Sequence, residues 1–110
     1  MPESNPPARI VMTTAANREE AARLGRTLVE ERLAACATFI PAQSIYRWEG
    51  EVETASEALL LLKTAPHQLE ALEARLHALH SYETPEFLVL QVESGSPGYL
   101  NWLHANLLLP

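Results

Sequence analysis

The chain has 110 residues, a formal net charge of -6, 47% hydrophobic residues and 20% charged residues. That length suits one domain with enough apolar material to build a core without staples. The acidic balance excludes a nucleic-acid role, since phosphate binding needs a basic face; the longest aliphatic run, Ala58 to Leu62, is far too short to span a membrane.

The opening MPESNPPA lacks an apolar stretch of signal-peptide length, and its prolines and polar residues predict a disordered tail over residues 1–8. A single domain then occupies residues 9–110. Ile10-Val11-Met12 with two threonines reads as a buried strand. Asn17 is a helix N-cap, with Glu20 placed to complete a capping box. Ala21, Leu24, Leu28 and Leu33 continue at roughly helical spacing, predicting a helix from about 17 to about 34. Cys36 to Ile40 and Ser44 to Trp48 read as strand, interrupted by Pro41, which belongs at a bulge or on a sheet edge.

Glu49-Gly50-Glu51 is a turn, and the chain returns through Val52 into a strand over Glu57 to Lys63. Pro66 fits the first turn of a helix carrying the stripe Leu69, Leu72, Leu76 and Leu79. Pro85 stops any helix before it, and Phe87 to Val92 reads as a strand covered on at least one face. Ser96-Pro97 opens a final helix with Leu100, Leu103 and Leu107.

The order is βαββαβ plus a C-terminal helix, the α+β ferredoxin-like arrangement of an antiparallel sheet under two helices. The central hairpin arms, on the order of 12 residues each, outreach a helix of about 14 residues by nearly twofold in length. The hairpin therefore projects, exposing strand edges with Ile45, Tyr46 and Trp48, and such a surface calls for a partner. Pattern alone favours an oligomer. Cys36 is the only cysteine, so no intrachain disulfide forms, which fits a reducing cytoplasm.

The segments VEERLAAC (29–36), SIYRWEG (44–50), LLLLKT (59–64), YETPE (82–86) and YLNWL (99–103) resemble the CutA divalent-cation tolerance proteins, in matching order and spacing. The resemblance implies a cytoplasmic homotrimer, similar in shape to the trimeric PII signalling proteins, whose hairpins join neighbouring sheets through Tyr46, Arg47, Trp48, Glu49 and Gly50. It implies a role in tolerance of copper and other divalent metal ions, without an enzymatic activity, a required cofactor or a known protein partner. Tyr82 and Glu86 match a motif that in the family borders a cleft between subunits. Some bacterial members hold copper with a first-strand cysteine and a His-His pair; Thr13 and Leu79 stand at two of those positions here, and only His80 matches.

The seven residues HSYETPE at 80–86 therefore carry several readings. His80 ends a helix, where an imidazolium interacts favourably with the terminal carbonyls, yet with Glu83 it also offers a mixed nitrogen and oxygen site for weakly bound Cu(II). Trp48 and Lys63 form a second candidate cleft, with Glu57 the nearest internal partner for the lysine. Cys36 reads as a small buried hydrophobe, and His67, His77 and His104 as solvated. No P-loop, C-x-x-C, H-E-x-x-H or G-x-S-x-G motif is present. Beside the metal-tolerance reading stand a PII-like sensor of small molecules or anions and a hydrolase built on Glu83, Glu86, His80 or Cys36.

Overall fold

The computed structural model describes residues 5–110. Strand β1 (Arg9–Ala15) leads to helix α1 (Arg18–Glu30), strands β2 (Cys36–Trp48) and β3 (Glu51–Thr64), and a 3-10 turn at Pro66–Gln68. Helix α2 (Leu69–Leu79), strand β4 (Leu88–Gln91) and helix α3 (Pro97–Ala105) follow. All strand pairings are antiparallel in the order β2-β3-β1-β4, which is the ferredoxin-like topology expected. Structure begins earlier than the expected tail allows: Pro6 and Ala8 are buried, and Ala8 joins a small apolar cluster with Leu100, Leu103 and Leu107 of the C-terminal segment. The first four positions of that expected tail lie outside the described residues.

Alternation along the strands decides what each sheet face meets. Val11, Thr13 and Ala15 of β1 and Leu60 and Leu62 of β3 point into the helix layer, where Leu24 and Leu28 of α1 and Leu72 and Leu76 of α2 bury them. Gly25 lets α1 approach closely, because a Cβ there would sit 2.9 Å from the Cβ of Ala37. The helix stops at Glu30, short of the expected end. Arg32 takes a φ of 61°, and the N–H groups of Arg32 and Leu33 close onto the carbonyls of Val29 and Leu28. That is a Schellman ending with arginine where glycine is usual.

The interruption expected at Pro41 is absent. Strand β2 runs unbroken, and Pro41 pairs with Ala58 because β2 is an edge strand whose outer side needs no donor. Glu49 and Gly50 both have positive φ, closing the hairpin as a two-residue turn between the paired Trp48 and Glu51. Strand β1 pairs with β3 only as far as Ala58, so Glu51 to Glu57 extend beyond the sheet for roughly 24 Å. The long axis of 52 Å, against 25 and 21 Å, reflects this projection. Strand β4 is shorter and barer than expected, with Leu88, Val89 and Leu90 all exposed. Among the described residues no helix covers the second sheet face, which carries Ile10, Met12, Ile40, Leu59 and Leu61, all at least partly exposed.

Candidate functional site

The segment after α2 folds back against the base of the hairpin, and hydrogen bonds fix it there. The His80 side chain is fully buried. Its Nε2 lies 2.7 Å from the carbonyl of Thr14, and its Nδ1 lies 3.0 Å from the backbone nitrogen of Tyr82. A carbonyl only accepts and a backbone N–H only donates, so Nε2 carries the proton, Nδ1 accepts and the ring is neutral. The expected favourable interaction of a cationic ring with the helix end does not arise, and both nitrogens are occupied by the chain itself.

Glu20 holds the same corner together. Its backbone N–H donates to Asn17 Oδ1 at 2.8 Å, as the capping motif predicts. The carboxylate does not return to the N-cap residue, however. Oε1 accepts from the N–H of Ala16 at 2.9 Å, and Oε2 from that of Ser81 at 2.8 Å, joining the start of α1 to the loop after α2. Burial pushes the Glu20 carboxyl up, but these donors outweigh it and hold the group below the usual carboxylate range.

Tyr82 and Glu86 each relate to Glu57, a residue assigned a different partner on sequence, the first by a hydrogen bond and the second by charge. The Tyr82 hydroxyl donates to Glu57 Oε2 at 2.7 Å, and burial, then this bond, pushes its pKa well up. Glu86 has a fully buried Oε2 with no hydrogen-bond partner among the described residues. Burial first, and then the Glu57 charge, raise its pKa above the ordinary value. Glu83 points outward, and its carboxylate forms no bond with the group. No group of three or more His, Cys, Asp or Glu side chains is assembled to hold a metal among the described residues.

The Trp48 and Lys63 grouping does not form within one chain. Trp48 pairs with Glu51 at the hairpin tip, and Lys63 pairs with Cys36 at the far end of β3. Lys63 Nζ donates to Thr38 Oγ1 at 2.9 Å and lies 3.6 Å from Cys36 Sγ, so its partner is not Glu57. Cys36 is half-buried beside that ammonium rather than sealed in the core. At the tip, Tyr46, Arg47, Trp48, Glu49 and Gly50 are all exposed, with Trp48 at 56%. A notch of about 470 Å³ opens where β1 ends, lined by Asn17, Arg18, Phe39, Ile40, Ser56 and Glu57. His77 is exposed, as expected, with its ring against Phe87. His67 is exposed, as expected, and His104 is half-buried; each also lies within hydrogen-bonding distance of a carbonyl, that of Leu108 and that of Pro7 respectively.

Comparison with known proteins agrees across the domain. Residues 9–106 match the family model described as CutA1 divalent ion tolerance protein. The divalent-cation tolerance protein CutA of Thermus thermophilus is 45% identical over 98 residues, covering 88% of this chain and 95% of that protein. The chloroplastic protein CutA of Arabidopsis thaliana is 42% identical over 98 residues, which are 88% of this chain and 54% of that longer protein. The crystal structure of CutA from Xylella fastidiosa superposes with a TM-score of 0.89 at 42% identity, covering 91% of this chain and 97% of the other. With the fold and nearly its whole length matched, the chain belongs to the CutA1 family of divalent ion tolerance proteins.

Proposed function

We propose that the chain acts as a homotrimer in the cytoplasm in tolerance of divalent metal ions, as a scaffold that binds copper weakly and carries no catalytic activity. The observation that carries the assembly is the bare sheet face. Ile10, Met12, Ile40, Leu59 and Leu61 lie on one side of the sheet with no helix above them, and Leu88 and Leu90 extend the patch along β4. Apolar surface of that extent is costly in water and belongs against another copy. The overhanging hairpin adds unpaired strand edge from Glu51 to Glu57, with Ile45 at 73% exposure and Trp48 beside it, which a neighbouring strand can complete.

Assembly also gives the Tyr82, Glu57 and Glu86 group a second wall, so that it borders a cleft between subunits. Two carboxylates and one unpartnered buried oxygen favour binding a cation over turning over a substrate, because the one hydroxyl beside a carboxylate, Tyr82, has its pKa pushed well up and is a poor nucleophile. The cytoplasmic assignment rests on the single free Cys36. The notch beside Arg18 supports a second reading, a small anionic ligand held at a subunit junction, since its size matches that of small-molecule sites.

Light scattering at micromolar concentration tests the assembly. The expected mass is three times the 12.2 kDa of one chain. Deleting residues 47–52 lowers that mass or causes aggregation. A folded monomer at the same concentration overturns the reading.

A further inference from the structure

A pair of histidines far from the Tyr82 group has no part in the reading above. His67 lies in the 3-10 turn before α2, and His104 lies in the last turn of α3. Their ring centroids are 5.9 Å apart, with the planes inclined at 44°. The Nε2 of His67 is 3.0 Å from the carbonyl of Leu108, which also accepts from Gln68 Nε2 at 2.8 Å. The Nε2 of His104 is 2.6 Å from the carbonyl of Pro7. Carbonyls only accept, so in both rings Nε2 carries the proton and donates. Each Nδ1 is left with a free lone pair, and neither has a hydrogen-bond partner among the described residues.

We infer that His67 and His104 form a two-imidazole site for a divalent first-row transition ion such as Ni(II), Cu(II) or Zn(II), bound through Nδ1 of each ring. Three arguments carry this. A metal-ligating histidine characteristically donates its other ring N–H to a carbonyl or carboxylate, which fixes the tautomer and makes the free nitrogen more basic; both rings already hold that arrangement. The spacing also fits. A nitrogen-to-metal bond of about 2.0–2.1 Å places a ring centroid about 3.2 Å from the ion, so two rings sharing one ion stand at most about 6.4 Å apart. The observed separation lies inside that limit, and a tetrahedral ion, which needs about 5.2 Å, would draw the rings slightly together on binding. Finally, His67 is exposed and His104 only partly buried, so an ion can enter and water can complete its shell.

The site would staple two elements that otherwise meet through a few side chains. His67 belongs to the connection out of β3, and His104 belongs to α3, whose apolar residues close over Ala8, Ala35 and Ala65. An ion bound only when α3 is docked stabilises that docking by mass action. Binding needs the lone pair of each Nδ1, so protons compete with the ion for the site. The inference does not rest on the trimer or on copper at His80, and its test separates them.

The experiment is calorimetric titration and thermal melting of the full chain with Ni(II) and Zn(II), for the wild type, His67→Gln, His104→Gln and His80→Ala. Glutamine can still donate to the Leu108 or Pro7 carbonyl but supplies no imidazole, and the metal-free melts report whether each variant is folded. One ion per chain is expected, with a metal-dependent rise in melting temperature. Either glutamine variant weakens binding at least tenfold and abolishes the rise, while His80→Ala leaves both intact. Unchanged binding in both glutamine variants, or no bound ion, overturns the site. Long-range proton-nitrogen spectra of the unmodified protein provide a readout that needs no substitution. Zn(II) should move the Nδ1 resonances of His67 and His104, and unmoved resonances would count equally against the proposal.

Discussion

Glu86→Gln probes the least satisfied polar group described in the molecule. Glu86 Oε2 is buried without a partner, and the Glu57 carboxylate stands near enough to raise its pKa after burial has done so. An unsatisfied buried polar group costs about 1–3 kcal/mol. Because the rest of the Glu86 side chain keeps some solvent contact, the lower end of that range applies. Glutamine preserves the shape, removes the like charge and can turn its amide N–H toward Glu57. The substitution is therefore expected to stabilise the protein by about 1 kcal/mol near neutral pH, or several degrees in melting temperature. The pH dependence has a fixed sign. A carboxyl whose folded pKa is raised holds its proton more tightly folded than unfolded, so its contribution is favourable at low pH and is lost as pH rises through the raised value. The advantage of glutamine should thus be present at about pH 7 and vanish near about pH 3.5, below the ordinary glutamate value. Urea unfolding of both proteins at equal concentration and both pH values measures it. Lower stability of Glu86→Gln at neutral pH, or an equal gain at both, refutes the reasoning.

Gly25→Ala brings a Cβ to 2.9 Å from the Cβ of Ala37, an atom that cannot swing aside; an overpacking cost of about 1–3 kcal/mol exceeds the roughly 1 kcal/mol gained in helix propensity, so a net loss is expected in urea unfolding, and unchanged stability would refute it. Cu(II) at His80 must displace either the Thr14 or the Tyr82 hydrogen bond, so calorimetry should find micromolar or weaker binding there, about -8 kcal/mol or less favourable; nanomolar binding abolished by His80→Ala would show the ring to be a ligand after all.

The fold was legible because its signals are local. The apolar triad Ile10-Val11-Met12, the Asn17 cap, the Glu49-Gly50 turn and the leucine stripe of α2 each act within a few residues, and the element order then selects the topology. Boundaries failed where tertiary structure decides them. The run of apolar residues to Leu33 suggested a longer helix, but Arg32 accepts a left-handed conformation because Leu33 and Thr64 need the chain to turn there, with Thr64 Oγ1 donating to the Leu33 carbonyl at 2.8 Å. Pro41 looked like a break because its tolerance depends on β2 being outermost, which depends on where every other strand goes.

The site was legible only in part, and the carboxylates show why. Glu20 looks like the second half of a capping box, a role of three-residue range, yet its oxygens serve Ala16 and Ser81, the latter 61 residues away. Glu57 sits six positions before Lys63 on one strand, which made the pair plausible in sequence, but the lysine turns to Thr38 and the glutamate to Tyr82. Partner choice among charged groups follows proximity in space and the cost of leaving a buried group unpaired, neither of which has a sequence period. The consequence for function is specific. His80, the one residue carrying a metal-ligand resemblance, is consumed in holding the corner together, and Glu86, which resembled only a cleft residue, keeps the unspent oxygen. A cation approaching this corner of the chain therefore gains most near Glu86 and Glu57, where it relieves repulsion, and least at His80, where it must first break a bond.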